Sequence, residues 1–211
     1  MRYEIVLADP PWSFGAWSRP DAGRTAAAHY DTMTLEDLCA MGPWLRTITR
    51  DDSVLLMWST CAGLPDALRV MDAWGFDYKT VAITWVKLVA RTADADDERK
   101  TFAAGRAIVE RRPRERHALH FGMGHYTRSQ TELLLIGTRK ARARHKRNVP
   151  QVLFAPVGQH SAKPREQYDI IDNLYPYTRK LELFARARQP GWDVWGNEAP
   201  ESIHVENLRT R

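Results

Sequence analysis

Cysteine is scarce in this chain. Only Cys39 and Cys61 occur in 211 residues, with no C-x-x-C pair, so neither a disulfide framework nor a thiolate metal site is expected, and a reducing, cytoplasmic compartment is predicted. No apolar run approaches the roughly 18 residues needed to cross a bilayer. Met1 leads almost at once into a short apolar segment rather than a leader peptide. There is no G-x-S-x-G elbow and no Walker loop, which leaves hydrolase and nucleotidase readings without support. "GMGHYT" (122–127) opens like a dinucleotide fingerprint but lacks the last glycine and runs into a strand. His117, His120 and His125 are irregularly spaced and have no cysteines beside them, so no metal is expected. Internal repeats and low-complexity tracts are absent as well. Acids are outnumbered, 26 against 31 lysines and arginines, and the net charge of +5 favours a polyanionic partner.

The length suits one domain with a sizeable core, taken as residues 1–211. Strand-like apolar runs occur at 3–8, 53–58, 80–86, 131–137, 151–155 and 180–185, several of them continuously apolar, as in strands covered on both faces. Helical patterns lie between them. "TLEDLCAMGPWL" has Thr34 three residues before Asp37, the spacing of a capping box. "LPDALRVMDAWGF" starts on a proline-containing first turn and stops at Gly75. "SAKPREQYDIIDNLYP" offers Ser161 as an N-cap and ends at Pro176. This alternation predicts an α/β fold with a largely parallel sheet and helices on both faces. Two stretches break the rhythm. Residues 88–128 form a long, charged insertion with little apolar periodicity, expected to be a functional loop. "RKARARHKR" (139–147) is nearly all cationic and is expected to be an exposed connection near the ligand-binding end of the sheet.

The richest motif is "IVLADPPWSF" (5–14), an apolar run that stops on an acid followed by two prolines and a tryptophan. Proline fixes φ and has no N–H, and the residue before it is pushed to an extended conformation. Asp9 therefore reads as the last residue of a strand leading into a stiff turn. An exocyclic adenine amine is a poor nucleophile because its lone pair is delocalised into the ring. A carboxylate and a carbonyl accepting its two N–H bonds would free that pair and stabilise the charge that grows on nitrogen. Asp9 and the Pro10 carbonyl offer those acceptors, and Trp12 with Pro11 offers a flat surface for a flipped base. The plainer alternative is a polar strand cap.

D-P-P-W at the end of a strand resembles the motif of the amino-methyltransferases, and the wider pattern resembles the MT-A-seventy family of adenine N6-methyltransferases, bacterial or phage type. "HYDTMTLEDL", "ITWVK", "GMGHYTRSQTELLLIG", "HSAKPREQYDIIDNLYPYTRKLELFAR" and "GWDVWGNE" follow in the family's order over most of the chain. The resemblance implies a Rossmann-like sheet that binds S-adenosyl-L-methionine. It implies that Asp9 meets the cofactor's ammonium as well as the target amine. Lys163 would take the cofactor's carboxylate, Arg186 and Asn197 its ribose, and Glu198 would lie near its adenine. Trp12, Tyr30, Lys87, Arg128 and Glu132 match positions lining the target-base pocket. The substrate implied is nucleic acid, DNA ahead of RNA given the small single-domain format, and a homodimer or heterodimer stays open. Arg142, Arg144, Lys146 and Arg147 are the candidates for backbone phosphate binding. Two alternatives remain: an RNA adenosine methyltransferase, and an inactive methyltransferase-like subunit that binds nucleic acid. The chain starts at the catalytic strand, so the upstream residues that contact the cofactor adenine in the eukaryotic catalytic subunit are expected to be absent, with the adenine pocket closed differently or left more open.

Overall fold

In the computed structural model, residues 2–13, 32–89, 119–124, 126–140, 142–158, 162–196 and 199 are described. Seven strands follow in chain order: β1 (Tyr3–Ala8), β2 (Thr49–Thr60), β3 (Asp77–Leu88), β4 (Thr131–Thr138), β5 (Val152–Pro156), β6 (Lys180–Leu183) and β7 (Trp192–Trp195). Among the described residues four helices accompany them: α1 (Leu35–Ala40), α2 (Gly42–Ile48), α3 (Leu64–Ala73) and α4 (Glu166–Leu174). The hydrogen-bonded strand order is β5-β3-β4-β2-β1-β6-β7. The pairs β1–β2, β1–β6, β3–β5 and β6–β7 are parallel, as a largely parallel α/β fold requires. β4 is the exception. Lys87 N–H bonds Gln130 O at its start and Arg139 N–H bonds Ser53 O at its end, so β4 enters beside the end of β3 and leaves beside the start of β2.

The chain clusters into two compact units, residues 1–80, 135–143 and 177–211 in the first, 81–134 and 144–176 in the second. The first is built around β1, whose Ile5, Val6, Leu7 and Ala8 are essentially inaccessible. Strands pair along both of its edges, and its consecutive side chains, which point to opposite faces, are all buried, which accounts for its continuous apolar run. Burying each of its larger side chains stabilises by about 1.5–3 kcal/mol. Thr34 caps α1 as its spacing predicts, accepting the Asp37 N–H at 3.1 Å. The pattern read as one helix is nevertheless two, broken at Met41. A side chain at Gly42 would press on the carbonyl carbon of Ala73, 3.1 Å away, so α2 starts where only glycine fits, and Pro43 opens its first turn. In α3, Ala67, Val70 and Met71 form the buried stripe, and Gly75 at φ 76° ends the helix as expected. Its neighbour Phe76 donates to Met71 O at 2.9 Å and Gly75 to Asp72 O at 2.7 Å, the two bonds of a Schellman stop. Trp74 is fully buried and its indole donates to Leu38 O at 2.6 Å, joining α3 to α1.

The second unit pairs β3 with β5 from Thr84↔Val152 to Leu88↔Pro156. Trp85 is buried there and donates to Ala155 O at 2.9 Å. α4 begins at Glu166 with Arg165 as its N-cap and no side-chain cap bond, so the capping role expected of Ser161 falls to a residue four positions later. Ser161 itself lies outside the described residues, as does the middle of the expected loop, 90–118. No helix among the described residues is long and apolar enough to cross a membrane.

Candidate active site

Register decides what gathers at the end of β1. Ala8 is level with Leu183 of β6, and Leu183 with Trp195 of β7. Asp9, the segment Phe184–Arg186 and Gly196 therefore leave the sheet together at the carboxyl ends of three parallel strands, where open α/β sheets bind ligands. Phe184 has φ 62°, a strained conformation for a bulky residue and a frequent mark of a functional site. Nothing in the sequence signalled it. It packs edge-on against Trp195, ring centroids 5.5 Å apart, while Ala185 N–H bonds Trp195 O at 3.0 Å. Arg186 follows directly and is half-buried.

The Asp-Pro-Pro-Trp turn is tighter than the sequence suggested. The two prolines, having no N–H, offer its carbonyls no donor. Instead Trp12 N–H reaches back to Pro10 O at 2.8 Å, and Met33 N–H bonds Pro11 O at 3.0 Å. A carbonyl oxygen has two lone pairs, so Pro10 keeps one acceptor site. Met33 also bridges to Trp12, fastening the start of the segment that leads into α1 onto the turn. Trp12 is 9% exposed and its indole donates to Trp58 O at 3.3 Å, so most of the ring is a wall of the first unit's core. Trp12→Phe keeps that apolar body and removes the N–H, and should lower stability by about 1 kcal/mol. A thermal melt alongside turnover tests this: a melting point equal to wild type would show that the bond contributes nothing.

Within the second unit, three residues predicted from the resemblance converge. Glu132, second residue of β4, accepts from Lys87 Nζ at 2.5 Å and lies 3.4 Å from Lys163 Nζ. All three side chains are 10–16% exposed. Burial alone would raise the Glu132 carboxyl, but the Lys163 and Lys87 ammonium groups outweigh it and hold the group below the usual carboxylate range. Lys87 also lies over the Trp85 ring, 5.2 Å from its centroid. Two cations thus share one carboxylate in a largely dry setting. Lys163 is largely buried, three residues ahead of α4, which begins at Glu166. Arg128 is exposed on the loop before β4. Tyr30, Asn197 and Glu198 lie outside the described residues.

The cationic run needs correction. Arg142 is 13% exposed, pairs with Asp52 at 2.7 Å and Glu4 at 3.1 Å, and donates through Nε to Asp52 O at 3.0 Å. Its neighbours hold the Asp52 carboxyl below its usual value: burial raises it, and the bonds from Arg50 and Arg142 more than offset that. Arg139 is likewise engaged with Thr49 Oγ1 at 2.7 Å and Trp74 O at 3.1 Å. Both arginines lock the start of β2, and Arg142 that of β1 too, the end of the strands opposite Asp9. The placement near the ligand-binding end therefore fails for this part of the run, and Arg142 is no free phosphate ligand. Carboxylates distant in sequence captured it, a pairing that a local charge count cannot reveal. Arg144, Lys146 and Arg147 are exposed, Lys146 donating to Asn173 Oδ1 at 2.6 Å. Among the described residues no group of three His, Cys, Asp or Glu could hold a metal ion; His117 and His125 lie outside them.

A largely parallel α/β sheet whose buried central strand ends on Asp-Pro-Pro-Trp defines a methyltransferase-like protein. The chain belongs to the MT-A70 family, whose model matches residues 3–198. It is 32% identical over 219 residues to the Type II methyltransferase M.MunI of Mycoplasma sp, covering 95% of this chain and 79% of that protein. It is 27% identical to the N(6)-adenosine-methyltransferase subunit METTL3 of Danio rerio and 25% identical to the METTL3 catalytic subunit of Homo sapiens, covering 97% of this chain but 29% of either relative.

Proposed function

We propose that this methyltransferase uses S-adenosylmethionine to methylate the exocyclic N6 amine of adenine in DNA. The observation that carries the proposal is Asp9, a half-buried carboxylate at the carboxyl end of a central strand, ahead of a proline turn fastened by its own backbone bonds. Such a turn keeps its acceptors in position without reorganising during the reaction. Asp9 and the spare acceptor site on Pro10 O would hold the amine's two hydrogens and direct the nitrogen lone pair outward. S-adenosylmethionine, when bound, supplies an electrophilic methyl group on a sulfonium. Asp9 suits its ammonium, Arg186 its ribose hydroxyls, and Lys163 its carboxylate. Asn197 and Glu198, next in the chain after Gly196, are assigned to its ribose and adenine. Tyr30, Lys87, Arg128 and Glu132 are assigned to the target base.

DNA is preferred to RNA because the bacterial relative is matched over 79% of its length, against 29% for the METTL3 proteins. Incubation with tritiated cofactor and matched DNA and RNA oligonucleotides, followed by nucleoside mass spectrometry, tests the proposal. N6-methyladenine in DNA is the expected product. Label in RNA alone would move the assignment to an adenosine methyltransferase. Cofactor binding without any product would support the inactive-subunit alternative.

Lys163→Ala should weaken S-adenosylmethionine and S-adenosylhomocysteine alike, since both keep the carboxylate. One missing charge-assisted hydrogen bond costs roughly 1.5–3 kcal/mol. Unchanged calorimetric affinity for both ligands would remove Lys163 from the cofactor site. The exposed cations Arg144, Lys146 and Arg147 are assigned to backbone phosphates, now without Arg142. Replacing the three with alanine should raise the DNA dissociation constant. It should also flatten the salt dependence, by roughly 0.9 in log–log slope for each phosphate no longer neutralised. A parental slope would show this run to be only surface.

A further inference from the structure

The glycine-rich segment that failed as a dinucleotide fingerprint has another use. In the second unit both ends of the 119–130 loop are tied to the backbone of Lys87: His120 N–H bonds Lys87 O at 2.9 Å, and Lys87 N–H bonds Gln130 O at 2.9 Å. Inside that root, Gly122 N–H bonds Ser129 O at 2.8 Å and Ser129 N–H bonds Met123 O at 3.3 Å. A side chain at Gly122 would meet Ser129 O at 2.7 Å, and one at Gly124 would overlap Thr127 O. The glycines therefore serve the close packing of a tight hairpin. What the hairpin holds out to solvent is unusual: Phe121 is 56% exposed, Met123 69%, and Tyr126 fully exposed. Arg128 is exposed beside them, and no acid occurs from 119 to 130.

Large apolar side chains held in water need a partner. Aromatic rings interleaved with a cation and free of acids match the chemistry of a single nucleic-acid strand, whose bases stack and whose phosphates attract. We propose that this hairpin is a stacking wedge, Tyr126 and Phe121 taking the bases next to the target adenine to which Arg128 is assigned. The inference rests on the nucleic-acid reading above and adds a residue-level grip to it. Rooting the loop on Lys87 joins that grip to the residue whose side chain pairs with Glu132.

The test is a cycle of fluorescence-anisotropy titrations with labelled oligonucleotides, intact or abasic at the positions flanking adenine. Against the intact strand, Tyr126→Ala should raise the dissociation constant about tenfold, within the range known for base–aromatic stacking. Tyr126→Trp should bind as well as wild type, and Tyr126→Leu, apolar but with no ring face, should fall with alanine. Against the abasic strand the alanine penalty should vanish, because ring and base act as one unit. An equal alanine penalty on both strands, no penalty on either, or full rescue by leucine would overturn the wedge. So would sedimentation showing that Tyr126→Ala loses self-association while binding the oligonucleotide normally, which would make the hairpin a protein interface. A wild type that methylates DNA while Tyr126→Ala binds normally defeats the wedge alone. A wild type that shows the cycle but never methylates defeats the proposed activity alone, and one that binds no oligonucleotide defeats both.

Discussion

Asp9→Ala is expected to lower the methylation rate at least ~10²-fold, the cost of removing one preorganised electrostatic partner from a reacting centre. The carboxylate accepts from the amine while positive charge develops on nitrogen, so its contribution grows toward the transition state. Cofactor affinity should fall too, since the same carboxylate is assigned to the cofactor's ammonium. Asp9→Asn separates charge from geometry. The amide keeps one acceptor oxygen but loses the charge, so a rate between alanine and wild type is expected. Single-turnover rates with tritiated cofactor, read beside calorimetric affinities, distinguish impaired chemistry from impaired binding. Wild-type turnover by Asp9→Ala would overturn the mechanism.

Much of this scaffold was legible because hydrophobic patterning dictated it. β1 was read over its whole length, since buried parallel strands are apolar without interruption and Asp-Pro-Pro ends them sharply. β2 was read as 53–58 but runs from Thr49 to Thr60. Its exposed, charged start at 50–51 carries no apolar signal, and only pairing of Tyr3 with Thr49 reveals it. β7 was missed altogether. "GWDVWG" was read only as part of the family's C-terminal pattern, because four residues are too few for a period and β6 supplies the pairing. The candidate site divides in the same way. Asp9 announced itself through its prolines, which act locally. The Lys87–Glu132–Lys163 cluster was named residue by residue from the family resemblance, with Lys163 assigned to cofactor and the other two to substrate. That they share one buried carboxylate is a fact of three-dimensional pairing. The Arg142 ion pairs were hidden for the same reason.

Glu132→Ala should be among the most destabilising single changes in the second unit. It removes the carboxylate that neutralises two ammonium groups that are 10–16% exposed. Breaking a buried ion pair in this way costs about 3–5 kcal/mol, because the lysine side chains lose their shared carboxylate in a setting with little water to replace it. For a chain of this size that corresponds to a fall in melting temperature of roughly 6–20 °C. The pH dependence identifies the cause. In wild type the Glu132 carboxyl titrates below its unfolded value, so its stabilisation is complete above that value and disappears as pH falls through the folded one. The stability gap between wild type and Glu132→Gln, a neutral near-isostere, should therefore narrow in acid. Glu132→Ala, which carries no titrating group at this position, should likewise close on wild type in acid. Melting curves from acid to alkaline pH for all three proteins test this. A Glu132→Ala variant whose melting temperature tracks wild type at every pH would show that the carboxylate does not hold the cluster together.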